Sequence, residues 1–357
     1  MQTSHPAHPV AIFLGKTRFA ADDPLALGAV LADLIEHEFD RAPRMPLPGQ
    51  GETLSRWRVL ADVAAHDLGL VKLYEGHTDA LAILAELHGP TPPSGSKWGV
   101  WASESPNARV RATRQTTGSN GADVVLDGTK AWCSGAGVLS HALVTAWLDD
   151  QPVLAAVAMN HPSVSIDTSN WQAVGMQATA SADVTFRGTP ATLVGNAHAY
   201  VNRPGFWHGG AGIAACWYGA AARIGEVLRD ACRQHADPHR LAHLGAVDCA
   251  LAGAASVLRE TAAHIDAHPH AIVQREALRA RLVVEDAATA VMRHTTRALG
   301  AGPLCRNGRF ARAMADLPVF IRQSHAERDL AALGETLLQE GGGSAHTCEP
   351  ENSPWTL

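Results

Sequence analysis

Nineteen histidines and six cysteines are the side chains of this 357-residue chain best suited to holding a metal or acting as nucleophiles, and their spacing supports neither role. Cys133, Cys216, Cys232, Cys249, Cys305 and Cys348 are scattered, with no CxxC pair and no Cys/His interval of a zinc site. They read as small hydrophobic residues of a reducing compartment, with no disulfide frame and no metal. The densest cluster of acid, hydroxyl and imidazole is Glu75-Gly76-His77-Thr78-Asp79, just before Leu81. It reads as a helix N-terminus capped by Thr78 or Asp79 rather than as a metal or catalytic motif. Trp98 and Trp101 could line a pocket, yet large aromatics at the start of a β segment are more often core.

Charge narrows the partners. Lys plus Arg is 29 against 35 Asp plus Glu, a formal net charge of −6 with no basic run, so no nucleic-acid footprint is visible. The longest uninterrupted apolar stretch, Ala211 to Ala222, has 12 residues, short of the ~18 to 20 that cross a bilayer, so no membrane partner is expected. The opening MQTSHPAHPV lacks a basic n-region and an apolar h-region, and the expected location is the cytoplasm.

The elements that must position any chemistry come in three blocks. Aromatics are 5% of the chain while all hydrophobic residues are 46%, so Ala, Leu and Val must fill the core, a composition suited to close-packed helices. Helical periodicity runs from Asp23 to Glu38 and from Thr53 to His88. The breaker cluster Pro92-Pro93-Ser94-Gly95-Ser96 then ends it. Short β-branched segments follow to about Asn202, with turn signals at Asp127-Gly128, Asp149-Asp150 and Arg187-Gly188. Val153 to Met159 reads as a strand buried on both faces, and Asp183 to Phe186 as one buried on a single face. Beyond Pro204-Gly205 the spacing predicts four long helices: His208 to His235, Leu241 to Ala267, Ile272 to Leu299, capped by Gly300, and Arg309 to Gln339. The expected divisions are an N-terminal helical domain at 1–97, a β domain at 98–203, a helical bundle at 204–340 and a flexible tail at 341–357.

This order of blocks resembles the acyl-CoA dehydrogenase superfamily, and local motifs carry the resemblance. Val100-Trp101-Ala102-Ser103-Glu104-Ser105-Pro106 is similar to the family's Val-Thr-Glu-Pro stretch against the flavin pyrimidine. Asp127-Gly128-Thr129-Lys130-Ala131-Trp132-Cys133-Ser134 resembles Asn-Gly-x-Lys-x-Trp-Ile-Thr. Val174-Gly175-Met176 and Ala182 to Pro190 resemble the end of the family's β domain, and Arg297 to Gly302 stands in the place of its Gln-x-x-Gly-Gly. The resemblance implies a mostly α fold with a central β-barrel-like domain and a C-terminal four-helix bundle. It also implies FAD, weakened or replaced by FMN, held by Ala102, Ser103, Trp132, Ser134, Arg233, Arg297 and Gly300. A small-molecule or acyl-thioester substrate and a homodimer or homotetramer are implied as well.

The pattern breaks at the chemistry. The family's dehydrogenation needs a Glu to remove the substrate's α-proton, and register carried from Asp316 puts Ser324 there, followed by His325. An alternative base position falls near Trp207, beside His208. Either imidazole could act as base, although the plainer reading leaves both as ordinary histidines at a helix surface or bonded to a carbonyl. Glu327 and Asp329 read as a solvated helix face with Arg328. The family's Arg-x-x-Phe-Gly for the pyrophosphate survives only as Arg233, and Asp237 and Ala301 stand where charge and a methyl are unwelcome. Three functions remain: a flavin oxidoreductase of dehydrogenase type with a non-standard base, a flavin monooxygenase of the same superfamily, or a flavin-free scaffold.

Overall fold

The computed structural model describes residues 8–115 and 123–339. Four helices come first: α1 (Pro9–Lys16), α2 (Pro24–Glu36), α3 (Thr53–His66) and α4 (Leu68–Glu86). Seven strands follow: β1 (Trp98–Trp101), β2 (Val110–Arg114), β3 (Val124–Cys133), β4 (His141–Leu148), β5 (Gln151–Ala158), β6 (Val164–Asp167) and β7 (Ala182–Leu193). The rest is helical: α5 (Ala199–Asn202), α6 (Pro204–Gln234), α7 (Pro238–Ala267), α8 (Gln274–Leu299), α9 (Gly302–Arg306), α10 (Gly308–Ile321) and α11 (Glu327–Gln339). The chain is mostly helical with one sheet set between two helical blocks, as its sequence predicts. The tail expected to be flexible lies outside the described residues.

Local chemistry explains most element ends. Asp23 caps α2 by accepting from Leu25 N at 2.9 Å, with Pro24 in the first turn where its missing N–H costs nothing. Gly300, at φ 65°, closes α8. Asp149 and Asp150, at φ 48° and 60°, form the two-residue turn between β4 and β5. Val153 to Val157 are buried throughout β5, and Ala182, Val184 and Phe186 alternate inward on β7.

Several expectations are corrected. The Thr53–His88 helix is two helices, because Asp67 breaks the run and caps α4 through Leu70 N at 2.9 Å. Residues 75–79 therefore lie in the middle of α4, not at a helix start, and four of the five are buried outright. His77 shows why: its Nδ1 accepts from Trp98 N at 3.2 Å and its Nε2 faces Asp40 Oδ2 at 3.2 Å, joining α4 to β1. Asp127-Gly128 and Arg187-Gly188 are not turns. Both lie inside long strands, where the β3–β7 register shifts; Gly128 has φ 115° and a Cβ there would sit 2.2 Å from Arg109 O. The Arg309–Gln339 helix is broken into α10 and α11 at residues 322–326. Helix α1, unpredicted, buries Val10 and Leu14 completely.

One sheet holds all seven strands in the order β1-β4-β2-β3-β7-β5, with β6 on β7; β4 also pairs β5, so the pairing path returns to β4. Trp98 and Trp101, 2% and 4% exposed, are core as expected. In the C-terminal block α8 packs on α6 and α7, burying Ala277, Ala280, Val284, Ala288, Val291 and Thr295. The sheet is tied to this block at Gly175-Met176: Met176 N donates to Asp316 Oδ1 at 2.5 Å, and a Cβ on Gly175 would meet Ala315 O at 2.0 Å. Counting uninterrupted apolar runs overlooks α7, whose Ala, Leu, Val and Gly are interspersed with Asp and Cys. Its best 18-residue window averages 1.6 in hydropathy and is 17% buried, enough by length and composition alone to cross a membrane. Its buried face, Val247, Ala254, Ala255, Leu258, Thr261, Ala262 and Ile265, is laid against protein.

Candidate active site

The candidate residues fall in two places, a corner of the sheet and a break between two helices, and no hydrogen bond or ion pair among the described residues joins Trp132 or Ser134 to Ser324 or His325. At the end of β3 the pairing with β7 passes from Lys130↔Val184 to Cys133↔Ala182, so Ala131 and Trp132 oppose the single residue Asp183. This bulge places Trp132 at φ 61°, a conformation that costs a non-glycine residue about 1–3 kcal/mol, and throws its indole outward to 68% exposure. A strained, exposed tryptophan is a flat apolar platform offered to another flat ring. Beside it, Ser134 Oγ lies 2.8 Å from Ser181 Oγ, which lies 3.0 Å from Thr179 Oγ1; Thr179 in turn donates to Met176 O at 2.8 Å. The hydroxyl chain orients Ser134, and Gly135 N donating to Thr179 O at 2.8 Å locks the backbone under it.

The loop after β1 is brought to the same corner. Trp101 Nε1 donates to Ser134 O at 3.3 Å. Lys130, fully buried, donates to Ser103 O at 3.1 Å, Glu104 Oε1 at 2.7 Å and Thr145 Oγ1 at 2.8 Å. Burial pushes the Lys130 ammonium down, Glu104 only partly offsetting it. Burial also raises the Glu104 carboxyl, but hydrogen bonds from Lys130, Thr145 and Trp147 outweigh that and hold it below the usual range. The loop holding Ala102 and Ser103 is thereby tied to β3 two residues before Trp132, and Trp101 ties it to Ser134. Lys130 is a positioning residue that the motif contained but sequence reasoning did not assign.

The helix break carries the candidate proton-transfer groups. Ser324 is 4% exposed, its Oγ accepting from Ala326 N at 3.2 Å. His325 has a side chain 57% exposed, with Asp329 Oδ1 3.4 Å from its Nδ1 and Asp329 Oδ2 accepting from its backbone N at 3.0 Å. Glu327 and Arg328 are exposed as expected, but Asp329 is 9% exposed, so the solvated face is corrected at that residue: its carboxylate is turned inward, beside the Nδ1 side of the imidazole. Arg281 of α8, also missed in the sequence, holds this break. Its Nη2 donates to Gln323 O at 2.8 Å, its Nη1 to Gly210 O at 2.7 Å, and its guanidinium stacks 5.0 Å from the Trp217 ring. Burial lowers its pKa, Asp329, Glu285 and Glu75 opposing that.

His208 lies elsewhere. It is 2% exposed beneath Gly49, where a Cβ would sit 3.2 Å from the imidazole, and its Nε2 has no hydrogen-bond partner. Burial lowers its pKa, so it is a neutral interior histidine; no interaction among the described residues joins it to His325.

With this geometry in hand, the solved structures are decisive about architecture. The dibenzothiophene monooxygenase TdsC from Paenibacillus sp. A11-2 superposes with a TM-score of 0.72 over 94% of this chain and 97% of its own, at 20% identity. The chain has the acyl-CoA dehydrogenase fold. KijD3, solved with FMN and a dTDP-linked amino-keto sugar, gives a TM-score of 0.71 at 16% identity over 96% of this chain and 97% of its own. The nitrososynthase from Micromonospora carbonacea var. africana gives 0.70 at 16% identity over 96% and 99%. No family model and no curated protein matches the sequence.

Within the acyl-CoA dehydrogenase fold, the donor set at the corner fits a flavin ring: an exposed indole, a braced hydroxyl and a pinned loop. The groups expected at its phosphate end are separate. Arg233, in the last turn of α6, is 64% exposed and paired with Asp230 at 3.0 Å. Arg297 and Gly300 end α8, both exposed. Asp237 is occupied as the cap of α7, accepting from His239 N at 2.9 Å and Arg240 N at 3.0 Å. No hydrogen bond or ion pair among the described residues joins these groups to the corner.

Proposed function

We propose that this chain is a flavin-dependent oxidoreductase working as a monooxygenase, with FMN rather than FAD as its flavin and a small organic molecule as substrate. The observation that carries the reading is Trp132, held in a strained bulge and exposed beside Ser134. A bound flavin supplies the two-electron chemistry. Trp132 would pack against one side of the ring, and the hydroxyls of Ser134 and Ser103 would donate to its polar edges.

His325 takes or returns a proton through Nε2, with Asp329 holding the other side of the imidazole. Ser324 cannot remove an unactivated α-proton as a carboxylate does, which weighs against the dehydrogenase form. The relatives solved with FMN, and the missing aromatic and glycine beyond Arg233, favour FMN over FAD. Assembly as a homodimer or homotetramer belongs to the same reading, since the family places the Arg233 position across a subunit interface; sedimentation velocity measures it.

The test is an absorbance titration of the full chain with FMN and with FAD. Stoichiometric FMN binding is expected, with O₂ consumption when reduced FMN and a substrate are supplied. Bleaching of bound flavin by an acyl thioester would favour the dehydrogenase form. A protein that binds neither flavin, oxidised or reduced, would leave the scaffold.

A further inference from the structure

Away from the flavin corner, a cavity of about 220 Å³ opens where the α1–α2 link, the α3–α4 junction, the middle of α6 and the start of α10 meet. Arg18, His66, Arg223, Arg309 and Arg312 line it, so guanidinium groups converge from three separate elements. Arg309 is anchored, its Nη2 donating to Ala65 O at 3.1 Å and His66 O at 2.9 Å. The other arginines are not. Among the described residues Arg18, Arg223 and Arg312 have no hydrogen bond and no ion pair, and Arg312 Nη1 is buried without a partner.

Two carboxylates, Asp67 and Asp316, line the cleft against four arginines, so positive charge is in excess there. Asp67 Oδ1 accepts from Leu70 N and Asp316 Oδ1 from Met176 N; burial pushes both carboxyls up, Asp316 to about 6, with Arg312 opposing the shift in each. His66 is driven down to about 4 by burial and by Arg309, Arg18 and Arg223, so it meets a ligand as a neutral group. Phe19, Ile224 and Phe310 also line the cleft, each next in sequence to one of the arginines, and give it an apolar part.

We propose that this cleft binds a small phosphomonoester, its phosphate held by Arg18, Arg223 and Arg312 and its organic part laid against Phe19, Ile224 and Phe310. A dianion with acceptors in three directions satisfies three guanidinium groups at once, whereas a planar carboxylate serves fewer. The volume is below the ~300–1,000 Å³ of ordinary ligand pockets, too small for a dinucleotide. The site shares no residue with those assigned to the flavin.

Isothermal titration of the full chain at low ionic strength, with phenyl phosphate and with inorganic phosphate, tests the assignment. Saturable one-to-one binding is expected, tighter for phenyl phosphate and weakened by added salt. Arg223→Gln and Arg312→Gln should each lower affinity at least about ten-fold. Arg18 is exposed, so Arg18→Gln gives the same readout without disturbing packing. Trp132→Ala should leave phosphate affinity unchanged while weakening flavin, which separates this site from the flavin reading. Absence of saturable binding, variants that bind like the parent, equal affinity for both probes, or loss of phosphate binding in Trp132→Ala would each overturn the proposal.

Discussion

The sheet corner at Trp132 and the helix break at His325, which the proposed function assigns to one reaction, are built by opposite means. The corner is assembled from short segments whose backbone and hydroxyl groups satisfy one another, with Ser134, Thr179 and Ser181 in one chain. The break is held from outside, by one buried guanidinium on α8 that grips two carbonyls far apart in sequence. A site can thus combine a half that is locally determined with a half that exists only when distant helices have docked.

Removing the external grip should have the largest effect. Arg281→Met strands two carbonyls and should destabilise the fold by about 3 kcal/mol in urea denaturation, charge-assisted bonds contributing roughly 1.5–3 kcal/mol each. If stability is unchanged, the break is self-supporting and the contrast with the corner fails.

The tie between the two halves is testable by pH. Burial raises Asp316 to about 6, so its folded pKa lies above the unfolded carboxyl value. The proton is held more tightly in the folded state, and the associated stability is full below about pH 4 and lost as pH rises through about 6. Asp316→Asn keeps an acceptor for Met176 N and should be more stable than the parent at pH 7 by about 2 kcal/mol. The advantage should vanish near pH 4. A constant difference across pH 4 to 7 would show that Asp316 does not titrate there.

At the corner the effects should be smaller and of opposite sign for folding and binding. Trp132→Gly relieves the positive φ and should stabilise the protein by about 1 kcal/mol while lowering flavin affinity about ten-fold. Weaker folding together with unchanged affinity would make Trp132 a packing residue. Ser181→Ala, which leaves Ser134 without its hydroxyl partner, should weaken flavin binding only about three-fold, read by fluorescence quenching. A larger loss would mean that the hydroxyl chain, not the indole, dominates the corner.

The composition and periodicity of this chain determined a helical protein with an inserted sheet, and the run from Asp127 to Ser134 already contained Lys130, Trp132 and Ser134 in the right order. Those features are legible because they are local: helical spacing, alternation, and a motif whose members sit within eight residues of one another. Tertiary structure alone decided the rest. Gly128 is as compatible with a turn as with a bulge until β7 pairs beside it. Between Arg309 and Gln339 the sequence carries Pro318 and the Ser324-x-x-Glu327 spacing of a helix start, but no glycine marks the break at residues 322–326, where Ala326 itself adopts φ 47°. Asp329 reads as solvated until His325 turns it inward, and four arginines from three elements become one cleft only after the helices pack. Local propensity is carried by neighbours in sequence, whereas desolvation and charge convergence belong to neighbours in space.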